Sequence, residues 1–330
     1  MRVRLSVNDL KTIIEYKVLD FNALFLSTPF AKAHSDFYDM VIYGGDVYRR
    51  TTGLVLPQGS VDTADTSARA DSLVFKQEAA FKTGLHSAGW LDATTRANAT
   101  TKMSKFTHLL GGPRTPKSHI DTTYDNQIWK ITAQSVNAYN DLLKNTIVFP
   151  AAILQSPLFD AKADPSVKYG AIGFTTGYEN THGFDQNGRD GKINLWWTDG
   201  CRDENVPRKS QVLHRAVWVN GNGKWTLGET IADNGGLNAA YRTSRDYVHA
   251  VADATKYTKG ASEKMFWIRY GQSWCVKNSD KFLPIHLTNP HTPGRHRLTG
   301  SVQNSVDFAK AFNCPVALPM NPTKKCVLWE

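Results

Sequence analysis

A histidine, a tyrosine and four carboxylates fall into two short segments, three of the carboxylates at the spacing a hydrolytic centre uses. In Gly177-Tyr178-Glu179-Asn180-Thr181-His182-Gly183-Phe184-Asp185, positions 178 and 182 lie one helical turn apart and share a face. When both are histidines, H-E-x-x-H, the imidazoles aim at one zinc ion, and the glutamate acts as general base on its bound water. Glu179 and His182 are present here, but Tyr178 stands at the first ligand position. A tyrosine ligates only as a phenolate, and its free pKa is about 10 against about 6.5 for histidine. In the second segment, Gly228-Glu229-Thr230-Ile231-Ala232-Asp233-Asn234-Gly235-Gly236-Leu237, Glu229 and Asp233 lie at i and i+4 on one helix face. Each segment alone is also compatible with a solvated polar helix face.

These side chains need helices to carry them. Apolar periodicity predicts a helix over 169–184 and another over 227–241, with a third over 262–274. Before them, Leu73, Val74, Ala80 and Phe81 share one face of a helix over 67–83. Asp92 caps a further helix with a stripe of Ala99, Met103, Phe106 and Leu110, which Gly111-Gly112-Pro113 is expected to stop. Val136 to Tyr139 and Ile147 to Pro150 read as short strands, with Pro150 on an edge strand or at a strand end. Residues 51–66, 121–134 and 288–300 read as loops, 188–191 as a turn, and 307–312 as a short helix. Two segments near the start, 10–18 and 31–40, could be helical.

The 330 residues are 41% hydrophobic and 21% charged, as in an ordinary soluble globular protein. The formal charge of +9 is scattered, which predicts a mildly basic solvated surface, and no nucleic-acid motif is present. No apolar run is long enough to cross a bilayer. Charged residues interrupt Met1 to Leu19, making it a poor signal peptide, so either the chain is cytosolic or its true N-terminus is missing. The four cysteines include no C-x-x-C pair, so a cysteine zinc site is not expected.

The 228–237 segment resembles the G-E-N-I-A-D-N-G-G-L signature of the neprilysin and endothelin-converting enzyme family of zinc metallopeptidases. Other segments resemble the same family in order. They are Trp90-Leu91-Asp92-Ala93-Thr94-Thr95-Arg96, Val136-Asn137-Ala138-Tyr139, Ile147 through Gln155, Tyr169 through Gly173, Pro290 through Arg297, and the tail from Phe312 to Trp329. Coverage is good from about residue 67 and poor over the first 66.

The resemblance implies a thermolysin-like, mostly helical α+β catalytic domain over 96–330, preceded over 1–95 by a helical remnant of a second domain. It implies zinc ligands His182 and Glu229, with Tyr178 at the missing third position, and catalytic roles for Glu179, Asp233 and His291. It assigns extended peptide binding to Asn137, Ala138 and Arg297, and an apolar pocket to Ile153, Phe174 and Trp274. It further implies a Cys201–Cys326 disulfide, with Cys275 and Cys314 free or paired only with each other. The implied partners are small peptides, the implied location is extracellular, and membrane contact would run only through an N-terminal anchor missing from this chain. With Tyr178 in place, zinc is expected to bind weakly or not at all. The ring should overshoot the metal or fill its space, and its hydroxyl could bond Asp233. The expected function is peptide binding with impaired catalysis; the alternative is an active zinc metalloendopeptidase cutting on the amino side of hydrophobic residues.

Overall fold

The structure is a computed structural model, which describes residues 63–89, 91–111, 130–131, 135–185, 187–188, 225–251, 253–277 and 289–325. Nearly all of these fall in one compact unit, Gln58–Cys275 with Pro290–Glu330. It is mostly helical with a small sheet, the α+β class expected from the sequence.

Helix α1, Thr63–Ser87, buries Ala70, Leu73, Val74, Gln77, Phe81 and Leu85 along one stripe. Asp92 caps α2, Ala93–Ser104, accepting from the Thr95 backbone N–H at 2.9 Å and its hydroxyl at 2.6 Å. The expected stop at 111–113 is corrected: α2 ends at Ser104, and Thr107–Gly111 forms strand β1. Phe106 and Leu110 therefore lie off the helix. Sheet pairing overrides the helical pattern here, because β1 runs parallel to β3, Thr146–Pro150. Strand β3 is central and buried in the three-stranded sheet, and Pro150 marks its end. Strand β2, Tyr139–Asp141, begins later than expected and pairs antiparallel with β3.

The helix expected over 169–184 is composite. Helix α3, Pro165–Lys168, runs through a π-helical turn, Tyr169–Gly173, into α4, Phe174–His182. Gln77, fully buried, donates to the Gly173 carbonyl at 3.2 Å and accepts from the Thr243 hydroxyl at 3.0 Å. Helix α5, Leu227–Ala250, outruns its expected end and lies along α4. Helix α6 spans Lys259–Ser273 and α8 Val306–Ala311, both close to expectation. The loop expected over 288–300 is partly wrong. Pro293 caps α7, Gly294–Asn304, so its Pro and Gly mark a helix start.

Helices α4 and α5 cross backbone to backbone. A Cβ at Gly236 would sit 2.5 Å from the Tyr178 nitrogen, and one at Gly177 would sit 2.7 Å from the Gly236 carbonyl. Gly236→Ala is expected to cost roughly 1 kcal/mol. Overpacking of about 1–3 kcal/mol outweighs the ~1 kcal/mol gain in helix propensity. Urea unfolding reads the loss; an unchanged or higher midpoint would show that the crossing has slack.

Candidate active site

The crossing fixes which side chains meet. Helix α4 supplies Tyr178, Glu179 and His182, α5 supplies Glu229 and Asp233, the turn before α7 supplies His291, and α7 supplies Arg297. Their focus is Glu229 Oε2. It accepts a short hydrogen bond from the Tyr178 hydroxyl, and it lies 3.4 Å from His182 Nε2 and 3.0 Å from His291 Nε2. The Tyr178 ring stands edge-on to His182, with centroids 4.5 Å apart.

Asp233 does not take the Tyr178 hydroxyl, which corrects the sequence expectation. The phenol reaches Glu229 instead, and Asp233 pairs with Arg297. The guanidinium makes Nε contacts of 3.0 and 2.9 Å and an Nη2 contact of 2.6 Å to the carboxylate. It also lies 4.7 Å from the Tyr178 ring centroid and 4.4 Å from that of Trp274.

Burial and charge set the protonation of the cluster. Burial pushes the Glu179 carboxyl up to about 7, although His182 pulls it back. Burial also drives the Tyr178 phenol well above 10, against the pull of Arg297. Burial alone would lower His182 and raise Glu229. The hydrogen bonds win: Asp185 and Glu229 hold His182 well above its usual value, and His182 and His291 hold Glu229 well below the carboxylate range.

The residues expected to bind peptide differ in burial. Ile153 and Phe174 are buried members of the main core, and Trp274 packs against it, with its ring 5.8 Å from Phe174. Asn137 Oδ1 accepts from the Ala138 backbone N–H at 2.9 Å. Strand β2 is docked on α4, because Asn140 Nδ2 donates to the Glu179 carbonyl at 2.6 Å.

Sequence reasoning gave no role to two residues beside His182. Asp185 Oδ2 lies 2.7 Å from His182 Nδ1; its i+3 spacing was a readable signal. Lys102, distant in sequence, reaches the Gly183 carbonyl at the end of α4. Cys275 and Cys314 are free thiols, whereas Cys201 and Cys326 lie outside the described residues.

Residues 137–328 match peptidase family M13. The chain belongs to peptidase family M13. Among its M13 relatives, neprilysin-3 of Drosophila melanogaster is 33% identical over 315 residues, covering 80% of this chain and 40% of that protein. Human endothelin-converting enzyme 1 is 32% identical over 314 residues, with 80% and 40% coverage, and rabbit (Oryctolagus cuniculus) neprilysin is 40% identical over 225, with 62% and 29%. A Mycobacterium tuberculosis zinc metalloprotease, solved with an inhibitor, superimposes with a TM-score of 0.75 at 25% identity, covering 99% of this chain and 58% of that one. PepO from Lactobacillus rhamnosis gives the same score at 23% identity, with 98% and 59% coverage, and supports the fold. The chain spans about 40% of the length of neprilysin-3 and of human endothelin-converting enzyme 1.

M13 members are zinc metallopeptidases, and this chain's residues fit zinc poorly. Among the described residues, no three His, Cys, Asp or Glu side chains are placed to hold a metal ion. Tyr178, also at the focus, keeps its proton and donates a hydrogen bond to Glu229.

Proposed function

We propose that this chain is a peptide-binding M13 homologue that does not hydrolyse peptides. The observation that carries the reading is the Tyr178 hydroxyl on Glu229. The carboxylate that would face a metal is engaged by protein donors, and Glu179 then has no acidified water to deprotonate. His182, Glu229 and Tyr178 would be the altered ligand set, with Asp233 and His291 as the remaining catalytic groups.

In this reading the peptide runs antiparallel to β2, held by Asn137 and the Ala138 backbone, with an apolar side chain near Ile153, Phe174 and Trp274. Arg297 supports it: Nε and Nη2 bind Asp233, and Nη1 has no partner among the described residues, so it can donate to a peptide carbonyl. The peptides in this reading are extracellular.

Titration of a fluorescent peptide with one hydrophobic residue should saturate without producing new amino termini. Asn137→Ala should weaken binding about five-fold, the equivalent of ~1 kcal/mol for one hydrogen bond. Equal affinity for both proteins would remove the strand-addition role. Cleavage by wild-type protein carrying stoichiometric zinc would establish the active peptidase instead.

A further inference from the structure

The geometry points to Lys102 as a positioning residue that holds His182 in place from outside the site. The side chain is almost fully buried, a costly place for an ammonium unless polar groups surround it. Those groups belong to the end of the site helix and the turn after it. Nζ donates to the Gly183 carbonyl at 2.5 Å and to the Gly188 carbonyl at 3.3 Å. A cation at that end also complements the helix dipole of α4. The Phe184 ring lies beneath the ammonium, 5.3 Å away.

The turn that Lys102 closes is the one that carries Asp185. Asp185 Oδ1 accepts from the Asn187 and Gly188 backbone N–H groups at 2.7 and 2.8 Å, which leaves Oδ2 on His182 Nδ1 at 2.7 Å. Gly188 lies flush on the helix end, where a Cβ would collide with the His182 carbonyl. One lysine thus joins both ends of a closed turn whose carboxylate fixes the direction of the His182 ring. The far end is anchored too, because Asn145 Nδ2 donates to the Lys102 carbonyl at 3.1 Å from the β2–β3 turn. The path runs from that turn through α2 to His182 by hydrogen bonds alone.

The inference takes His182 as a residue of the proposed peptide site, but its test needs neither peptide nor metal. The probe is the Nδ1 proton of His182 in imidazole-selective NMR of the whole chain, assigned by its loss in His182→Gln. In Lys102→Met this proton should exchange with water at least ten-fold faster, and Lys102→Arg should restore much of its protection. A comparison variant at an exposed position, Ala97→Gly, destabilises the same helix away from the buried turn and should leave the resonance unmoved. A folded Lys102→Met protein with the wild-type resonance would overturn the proposal, and so would an equal change in Ala97→Gly. Should Lys102→Met not fold, Lys102→Gln keeps one donor without the charge, and the same two readings apply to it. Because the readout is made without peptide, failure of peptide binding would leave it standing.

Discussion

Purified Tyr178→His protein should carry close to one zinc per chain, where the wild-type protein carries little. The substitution removes the phenol that holds Glu229 and puts an imidazole one turn from His182, completing two histidines and a carboxylate. Asp185 is already on His182 Nδ1, so that ligand is oriented before any ion arrives. Binding should appear as stabilisation: free zinc about 100-fold above its dissociation constant adds about 2.7 kcal/mol, a rise of several degrees in Tm. Tyr178→Phe is the control, since it removes the hydroxyl without adding a ligand and should gain no zinc. Metal analysis after dialysis, with melting curves across a zinc series, decides the matter. Stoichiometric zinc in the wild-type protein would show that the phenol does not keep the metal out.

The largest loss of stability should come from Arg297. Its guanidinium is forked onto the Asp233 carboxylate between two aromatic rings, and both side chains of the pair are largely buried. Burial works to lower the Arg297 pKa, but the Asp233 charge outweighs it and the guanidinium stays protonated. Removing one member of such a pair strands the other's charge in a dry site and costs about 3–5 kcal/mol, whereas removing both often costs far less. Arg297→Met should therefore lose roughly that much in urea unfolding, and Arg297→Met with Asp233→Leu should recover most of it. A single variant within about 1 kcal/mol of wild type would mean that solvent reaches Asp233 and solvates it.

The sequence carried the site's inventory better than its wiring. Glu229 and Asp233 could be placed on one face of α5 because four residues make a little more than a turn. Which of them Tyr178 meets depends on the reach of a phenol across a helix crossing, and no spacing encodes that. The crossing rests on Gly177 and Gly236, whose approach becomes visible only when the backbones are docked. Asp185 was within reach of reasoning at i+3 from His182, whereas Lys102 lies 81 residues from Gly183, and only the fold unites them. Among the elements, misreadings came where composition competed with position. Pro293 and Gly294 look like loop residues but start α7, and Leu110 pairs with β3 in place of extending α2. The π-helical turn had no signal in the apolar pattern. It fits where Gly170 and Gly173 let the Phe266 carbonyl and the Gln77 amide come close.

The contact of Gly177 with Gly236 also bears on how a chain like this can persist in a genome. Histidine and tyrosine codons differ only in their first base, so a single transition at position 178 exchanges the two. The helices that carry the site are held by backbone against backbone, and that hold draws nothing from an ion. Cellular quality control acts on exposed apolar surface and unfolded chain, and it has nothing to detect in such an exchange. An exchange of the two residues, in either direction, would leave this backbone contact standing.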